Sequence, residues 1–170
     1  MHPDPTRERR FLDLVEANRA LIYKICYMYA GDREHLNDLY QDVLANVWQG
    51  LDSFRGDSAA GTWLYRIAIN TCITNTRINS RHTSGRVGLD SLENVCADDS
   101  GDERMADIRT LYAMIASLPA LDKAIILMWL DEKSYEEIAR VSGLSRQNVG
   151  IRLHRIKQRL AQQHHDEHDR

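Results

Sequence analysis

Residues 134–160 read SYEEIARVSGLSRQNVGIRLHRIKQRL, and this stretch decides the fold of the last third of the chain. Ser134 and Glu137 have the S-x-x-E spacing of a capping box, which predicts the start of a helix. Gly143 suits the left-handed position that ends such a helix, and Ser145 can cap the next one. Ala139 is the small residue that lets two such helices pack closely, and Val149 is the aliphatic residue that packs between them. Caps, turn and packing positions therefore agree on a helix-turn-helix.

The second helix of this motif separates an apolar face from a polar one. At 3.6 residues per turn, the apolar face carries Val149, Leu153, Ile156 and Leu160. The helix start, the opposite face and the flanks carry the residues predicted to contact duplex DNA: Arg146, Gln147, Asn148, Ile151, Arg152, Arg155 and Arg159. Asn and Gln can pair with adenine and Arg with guanine in a major groove, whereas Arg152 and Arg159 on the flank suit phosphates. The alternative is a helical hairpin with a basic surface.

Charge is segregated along the chain, although the net charge is only −3. Residues 140–160 hold six basic and no acidic side chains, and residues 53–86 hold five basic and one acidic. The neighbouring segments 31–52 and 87–110 are acidic. Two basic blocks in an otherwise acidic protein predict contact with nucleic acid at two separate places, the alternative being solvated faces.

Helical periodicity extends over most of the chain, and no useful stretch alternates with period two, so the predicted fold class is all-α. Predicted helices cover residues 6–31, where Thr6 caps and Gly31 terminates, then about 32–50 and about 60–79. The buried face of the third helix is predicted to carry Trp63, Leu64, Ile67, Ala68, Thr71 and Cys72.

A change of composition near Arg81 predicts a domain boundary. The segment that follows is rich in Ser, Gly and Asp, and it is too long for an ordinary connection between helices. The prediction is therefore two small helical domains joined by a flexible acidic linker, with the helix-turn-helix in the second domain. The predicted bounds are 6–80 for the first domain, 81–104 for the linker, 105–161 for the second domain and 162–170 for a polar tail.

Several functional classes are excluded at this stage. The longest apolar run, 124–130, has seven residues, whereas a bilayer span needs about 20, so no membrane insertion is expected. The N-terminus lacks the apolar segment of a secretory signal, which predicts a cytoplasmic protein. The three cysteines form no C-x-x-C pair, and Cys26 and Cys72 are expected in the core. No metal, cofactor or catalytic residue is predicted.

Two further groups of residues stand out in the first domain, one of mixed aromatic and basic side chains and one of polar side chains. Aromatic and basic side chains alternate over residues 54–81, a mixture that suits an unpaired strand of nucleic acid. They include Phe54, Arg55, Trp63, Tyr65, Arg66, Asn70, Arg77 and Arg81, although Trp63 and Tyr65 could both be core residues. A polar row on the second helix consists of Asp38, Gln41, Asp42, Asn46 and Gln49, the alternative being a solvated helix face.

Taken together, these residues resemble the bacterial sigma-70 family, and within it the extracytoplasmic-function (ECF) subfamily. Residues 38–48, DLYQDVLANVW, resemble region 2.2 of that family, and FRG at 54–56 with TWLYRIAIN at 62–70 resemble regions 2.3 and 2.4. Leu118-Pro119, SYEEIA at 134–139 and the helix after Ser145 resemble region 4. The chain departs from the pattern at Gly150, where many members carry a lysine, and at residues 56–61, which lack a frequent aromatic.

The resemblance implies a sigma factor that initiates transcription at specific promoters. Region 2.2 would dock on the β′ coiled coil of core RNA polymerase through Asp38, Gln41, Asp42 and Asn46. Regions 2.3 and 2.4 would melt the −10 element and capture a flipped base, with Phe54, Arg55, Arg66, Asn70 and Arg77 as contacts. Region 4 would read the −35 element as duplex. The resemblance also implies the β flap of polymerase and an anti-sigma factor as partners, a free monomer, and a linker that threads the polymerase channel.

Two other classes of protein remain open from the residues alone. A stand-alone helix-turn-helix regulator with a helical sensing domain would bind duplex operators unaided, usually as a symmetric dimer. A nucleic-acid enzyme such as a recombinase would need a positioned nucleophile or clustered carboxylates. The acidic residues here lie on predicted helix surfaces or in the linker, so no enzyme is predicted.

Overall fold

A computed structural model of the chain describes residues 5–56, 60–80 and 103–168. Within these ranges every regular element is a helix, which confirms the predicted all-α fold class. The chain divides into two compact units, Met1–Ser84 and Gly85–Arg170, and each is described by itself. Among the described residues, no helix combines the length and the hydropathy that crossing a bilayer requires.

The first unit contains α1 (Pro5–Ala17), α2 (Arg19–Tyr29), α3 (Arg33–Gly50) and α4 (Ala60–Ser80), with a 3-10 turn at Leu51–Ser53. Its core lies where α2, α3 and α4 pack together, and its largest fully buried side chains are Ile22, Ile25, Leu39, Leu51, Leu64, Tyr65 and Ile69. Cys26 and Cys72 are buried there as expected. Burial in this core, with a smaller effect from Cys72, raises the pKa of Tyr29.

The predicted first helix, 6–31, is in fact two helices that meet at Asn18. The Asn18 backbone leaves the helical region, and its side-chain Nδ2 donates 2.8 Å to the carbonyl of Leu14. Asn competes with the helix in this way because its amide bonds to nearby backbone groups. At the start, Pro5 is the first helical residue, so Thr6 lies inside α1 rather than capping it; proline suits that first position because its missing N–H is not needed.

The buried face of α4 differs from the predicted one. Leu64, Ala68 and Cys72 are buried as expected, but Tyr65 and Ile69 complete the face. The predicted members Trp63, Ile67 and Thr71 are only half-buried. Trp63 turns towards the end of α3, where a Cβ on Gly50 would lie 3.3 Å from its ring. The absence of a side chain at Gly50 therefore lets the tryptophan pack against the helix end.

The second unit contains α5 (Glu103–Ala116), α6 (Ala120–Leu130), α7 (Tyr135–Ser142) and α8 (Arg146–His168). Its core is formed by the apolar run of α6 and the inner faces of the other helices, with Ile115, Ile125, Leu127, Met128, Ile138, Val149 and Leu153 fully buried. The helix α8 runs to His168, past the predicted start of a polar tail at 162. The linker predicted at 81–104 lies outside the described residues except for its last two, which already belong to α5.

The helix-turn-helix has the local structure that its sequence predicted. The Ser134 Oγ accepts a hydrogen bond from the backbone N–H of Glu137, and the Glu137 carboxylate accepts from the backbone N–H of Ser134. Gly143 ends α7 in the left-handed region with φ +75°. Ser145 Oγ accepts from the backbone N–H of Asn148 at the start of α8. Capping box, turn glycine and second cap are all confirmed.

The capping box should contribute measurably to the second unit. We expect Ser134→Ala to destabilise α7 by about 1 kcal/mol, because the backbone N–H of Glu137 loses its acceptor and the Glu137 carboxylate loses the hydroxyl that it accepts from. Amide hydrogen exchange followed by mass spectrometry would detect the loss as faster exchange over residues 134–142. Arg140→Ala, an exposed position of the same helix, serves as the control, and equal exchange in the two variants would contradict the role of the box.

Candidate functional surfaces

The polar row predicted on α3 forms an exposed patch on the first unit. Asp38, Gln41 and Asp42 are exposed, while the opposite face of α3 is buried. The three side chains line a cleft together with His35 and Asn75. The Asp42 carboxylate accepts a hydrogen bond of 3.3 Å from the Asn75 amide on α4. The patch is therefore built on α3 and bordered by the C-terminal half of α4. We call these three α3 residues the acidic patch.

Asn46 lies one turn beyond this patch and has a different environment. Its amide Nδ2 donates 2.9 Å to the hydroxyl of Thr71, which in turn donates to the carbonyl of Ile67. Asn46 lines a groove between α3 and α4 that Asn70 also lines. The structure thus brings Asn46, predicted to contact polymerase, beside Asn70, predicted to contact DNA.

The second predicted surface is the turn after α3 and the outer face of α4. Arg66, Asn70 and Arg77 are exposed and fall on one face of α4, since they are separated by four and seven residues. Arg55 is exposed, and the half-buried Phe54 ring lies against Trp63 with centroids 4.9 Å apart. Tyr65 is fully buried and therefore cannot stack on a base, so for this residue the core alternative is correct. Arg81 and loop residues 57–59 lie outside the described residues.

Two arginines of α1 that sequence reasoning missed hold the end of α3 and the following turn. Arg7 donates 2.9 Å to the carbonyl of Trp48, lies over the Trp48 ring, and pairs with Asp52 at 3.2 Å. Arg10 donates 2.6 Å to the carbonyl of Phe54 and lies 5.7 Å from its ring centroid. Their partners are more than 40 residues away in the chain, so no local pattern indicated these contacts.

The third predicted surface is the outward side of α8. The predicted core residues Val149, Leu153, Ile156 and Leu160 are all buried, which fixes the rotation of the helix. The residues left exposed are Arg146, Gln147, Asn148, Ile151, Arg155 and Arg159. Arg146 forms an exposed ion pair of 2.5 Å with Glu136 on α7. The helix therefore presents amide and guanidinium groups to solvent from its first turn onwards, as duplex readout requires.

Arg152 stands apart from the other basic residues of α8. Its guanidinium donates to the carboxylate of Asp122, a partly buried residue at the start of α6. Asp122 was not identified from the sequence, because its partner lies 30 residues away on another helix. In this structure the side chain of Arg152 is turned towards α6, so a phosphate would have to compete with Asp122 for it.

Two family models match the chain, one in each unit. The model of sigma-70 region 2 matches residues 14–82, and that of sigma-70 region 4 matches residues 108–160. The chain is 29% identical over 169 residues to the ECF RNA polymerase sigma factor SigW of Bacillus subtilis, covering 92% of this chain and 89% of that protein. It is 32% identical over 148 residues to the ECF RNA polymerase sigma-E factor of Escherichia coli, covering 79% and 74%.

Two solved structures have a similar fold. The sigma factor RpoE in complex with the anti-sigma factor NepR, from Bartonella quintana, matches with a TM-score of 0.66 and 20% identity over 91% of this chain and 94% of that one. CnrH in complex with the cytosolic domain of CnrY matches with a TM-score of 0.64 and 21% identity over 91% and 86%. These two likenesses describe the fold.

Proposed function

Because the chain belongs to the ECF subfamily of sigma-70 factors, we propose that its three exposed surfaces divide the work of promoter recognition. The chain is a sigma factor, which binds core RNA polymerase and directs transcription initiation at specific promoters. We assign core binding to the acidic patch with Asn46, contact with the melted −10 element to Phe54, Arg55, Arg66, Asn70 and Arg77, and contact with the −35 duplex to the outward side of α8.

The observation that carries this assignment is the rotation of α8. Because four apolar residues of one face are buried, the amides of Gln147 and Asn148 and the guanidinium of Arg155 must lie on the other face. Such side chains read base edges in a major groove, and the N-terminus of the helix favours phosphate nearby. The first unit offers a chemically different surface, on which Arg66, Asn70 and Arg77 are exposed on α4 and the rings of Phe54 and Trp63 are in contact.

Co-purification with core RNA polymerase, followed by run-off transcription, tests the proposal as a whole. We expect the chain to form a stoichiometric complex with core enzyme and to select promoters only within that complex. A stand-alone helix-turn-helix regulator, the alternative, would bind its duplex site tightly without polymerase. Tight, sequence-specific binding by the free chain would therefore favour that alternative.

Asn70 is our choice for a base-edge contact on the single strand. We expect Asn70→Ala to reduce open-complex formation on a fully paired promoter by roughly tenfold, as expected for one lost base contact. On a promoter that is already melted at the −10 element the loss should be smaller, because melting is no longer required. Permanganate footprinting of the two templates with the mutant holoenzyme measures both effects.

Thr74→Ala is the matched control for this experiment. Thr74 is exposed on α4 one turn after Asn70 and lines the same groove, but it carries no assigned base contact. We expect this control to behave as the unsubstituted chain does. Equal losses of Asn70→Ala on paired and pre-melted templates would contradict a role in melting.

The remaining proposals concern the setting in which the factor acts. One structural relative, RpoE of Bartonella quintana, was solved with an anti-sigma factor, which supports an anti-sigma factor as a further partner of this chain. We further propose that the β′ coiled coil and the β flap are the polymerase elements contacted, and that the protein acts in the cytoplasm as a monomer when free. A sigma factor recruits the catalytic activity of polymerase, so we expect the chain to have no enzymatic activity of its own.

A further inference from the structure

A chain of hydrogen bonds ends on the acidic patch and joins α3 to α4. The backbone N–H of Gly31 donates to Nδ1 of His35 at 3.2 Å. Nε2 of His35 lies 3.1 Å from Oδ1 of Asn75, and Nδ2 of Asn75 donates to Oδ2 of Asp42 at 3.3 Å. His35 and Asn75 also line the cleft that Asp38, Gln41 and Asp42 form. The chain of bonds therefore runs beneath the proposed polymerase contact.

The chemistry of the groups fixes the direction of every bond in this chain. A backbone N–H can only donate, so Nδ1 of His35 must accept with its lone pair, and the ring proton of the neutral imidazole lies on Nε2. Nε2 then donates to the amide oxygen of Asn75. Because that oxygen faces His35, the amide NH2 of Asn75 faces Asp42. Hydrogen bonds that point in one direction polarise one another, which strengthens the last donor.

The last bond constrains a side chain that would otherwise be mobile. Asp42 is exposed, and an exposed carboxylate loses rotamer entropy when a partner binds it. The bond from Asn75 restricts the carboxylate before binding, so less of that entropy is lost on docking. A carboxylate has about four acceptor sites, so it can accept from Asn75 and still accept donors from a partner.

We propose that His35 and Asn75 are positioning residues of the polymerase-docking patch: Asn75 aims the Asp42 carboxylate, and His35 sets the orientation of the Asn75 amide. This inference rests on the proposed function, since it requires Asp42 to contact core polymerase. The inference adds that Asn75 affects how tightly α3 binds core polymerase, although it lies on α4, the helix proposed to contact DNA. Neither residue needs to touch polymerase for this effect.

A double-mutant cycle on the affinity for core RNA polymerase tests the inference. The labelled full chain, in the forms Asp42→Ala, Asn75→Ala and the double mutant, is titrated with core enzyme and followed by fluorescence anisotropy. We expect Asn75→Ala to weaken binding by about fivefold, the size expected for one exposed hydrogen bond of ordinary strength. In the Asp42→Ala background the same substitution should have no further effect, because it acts only through Asp42. A merely structural role of Asn75 would give the same loss in both backgrounds.

Two further variants separate positioning from loss of structure. Asn75→Asp keeps the size of the side chain and its acceptor for His35 but cannot donate to Asp42, so it should weaken binding at least as much as Asn75→Ala. His35→Phe should weaken binding when Asn75 is present and have no effect in the Asn75→Ala background. Asp13→Ala, at an exposed position of α1 outside the acidic patch, is the control and should bind with unchanged affinity.

The outcomes distinguish an error about the docking patch from an error about the positioning role of Asn75. If Asp42→Ala itself binds core polymerase with unchanged affinity, the docking patch is wrong and the positioning role falls with it. If Asp42→Ala binds weakly but Asn75→Ala and Asn75→Asp bind like the unsubstituted chain, the patch stands and the positioning role is overturned. Equal losses from Asn75→Ala in both Asp42 backgrounds overturn it as well.

Discussion

Replacing Asp42 by lysine is expected to weaken binding to core RNA polymerase by roughly 100-fold, equivalent to about 2.7 kcal/mol. Asp42 lies next to Asp38 and Gln41 on the exposed side of α3, so the substitution reverses the charge at the centre of the acidic patch. A surface that complements carboxylates carries donors or cations, and like charges in contact cost several kcal/mol. Equilibrium titration of labelled chain with core enzyme measures the change.

Asp13→Lys is the matched control for this charge reversal. It changes the net charge of the chain by the same amount at an exposed position of α1, outside the acidic patch. Both variants should keep the helical circular dichroism of the unsubstituted chain, since neither residue belongs to the core. If Asp42→Lys binds core enzyme as tightly as Asp13→Lys does, α3 does not dock through this patch.

The second unit could be predicted closely because its signals are local. Each cap of the helix-turn-helix is made by a side chain and a backbone group three residues apart, and the positive φ of Gly143 depends on its own lack of a Cβ. The rotation of α8 followed from apolar spacing alone, because one face of the helix is buried against a single core. Such features are contained in a short window of sequence.

The first unit shows where a window of sequence is not enough. The apolar period continues through Asn18, so nothing in the periodicity marks the break between α1 and α2. The break allows α1 to pack on the end of α3, where the rings of Phe11 and Trp48 are nearly perpendicular and Arg7 donates to the Trp48 carbonyl. Trp63 leaves the predicted buried face of α4 for a similar reason, since it packs beside Gly50 and Phe54. These contacts depend on residues far apart in the chain.

The candidate sites show the same contrast between local features and contacts that join distant residues. The residue types of each surface could be read from the sequence, because exposure follows from the buried face on the same helix. The hydrogen-bond partners of these residues could not be read from the sequence, because each partner lies on a second helix. The pairs are Asn75 with Asp42, Thr71 with Asn46 and Asp122 with Arg152. A side chain's exposure is thus a local property, whereas its hydrogen-bond partner is a property of the packing.

For the second unit, we expect Arg155→Ala to cost roughly 1–3 kcal/mol of promoter binding and to relax the sequence preference in the −35 element. Arg155 is exposed on the side of α8 opposite the buried Val149 and Leu153, so it can reach base edges. A lost bidentate contact removes discrimination at one base pair, whereas other positions keep theirs. Holoenzyme binding to a set of −35 variants, measured at several salt concentrations, gives both the preference and the salt slope.

Arg159→Ala is the matched comparison, because Arg159 is an exposed arginine one turn later that lines the same groove. Placed further from the start of α8, it should contact phosphate only. Its loss should weaken binding to all sequences alike and lower the salt slope by about one unit. Arg152 should contribute less than either, since Asp122 already binds its guanidinium. If Arg159→Ala changes the preferred sequence while Arg155→Ala changes only the salt dependence, α8 enters the groove in a different rotation, and its base contacts must be reassigned.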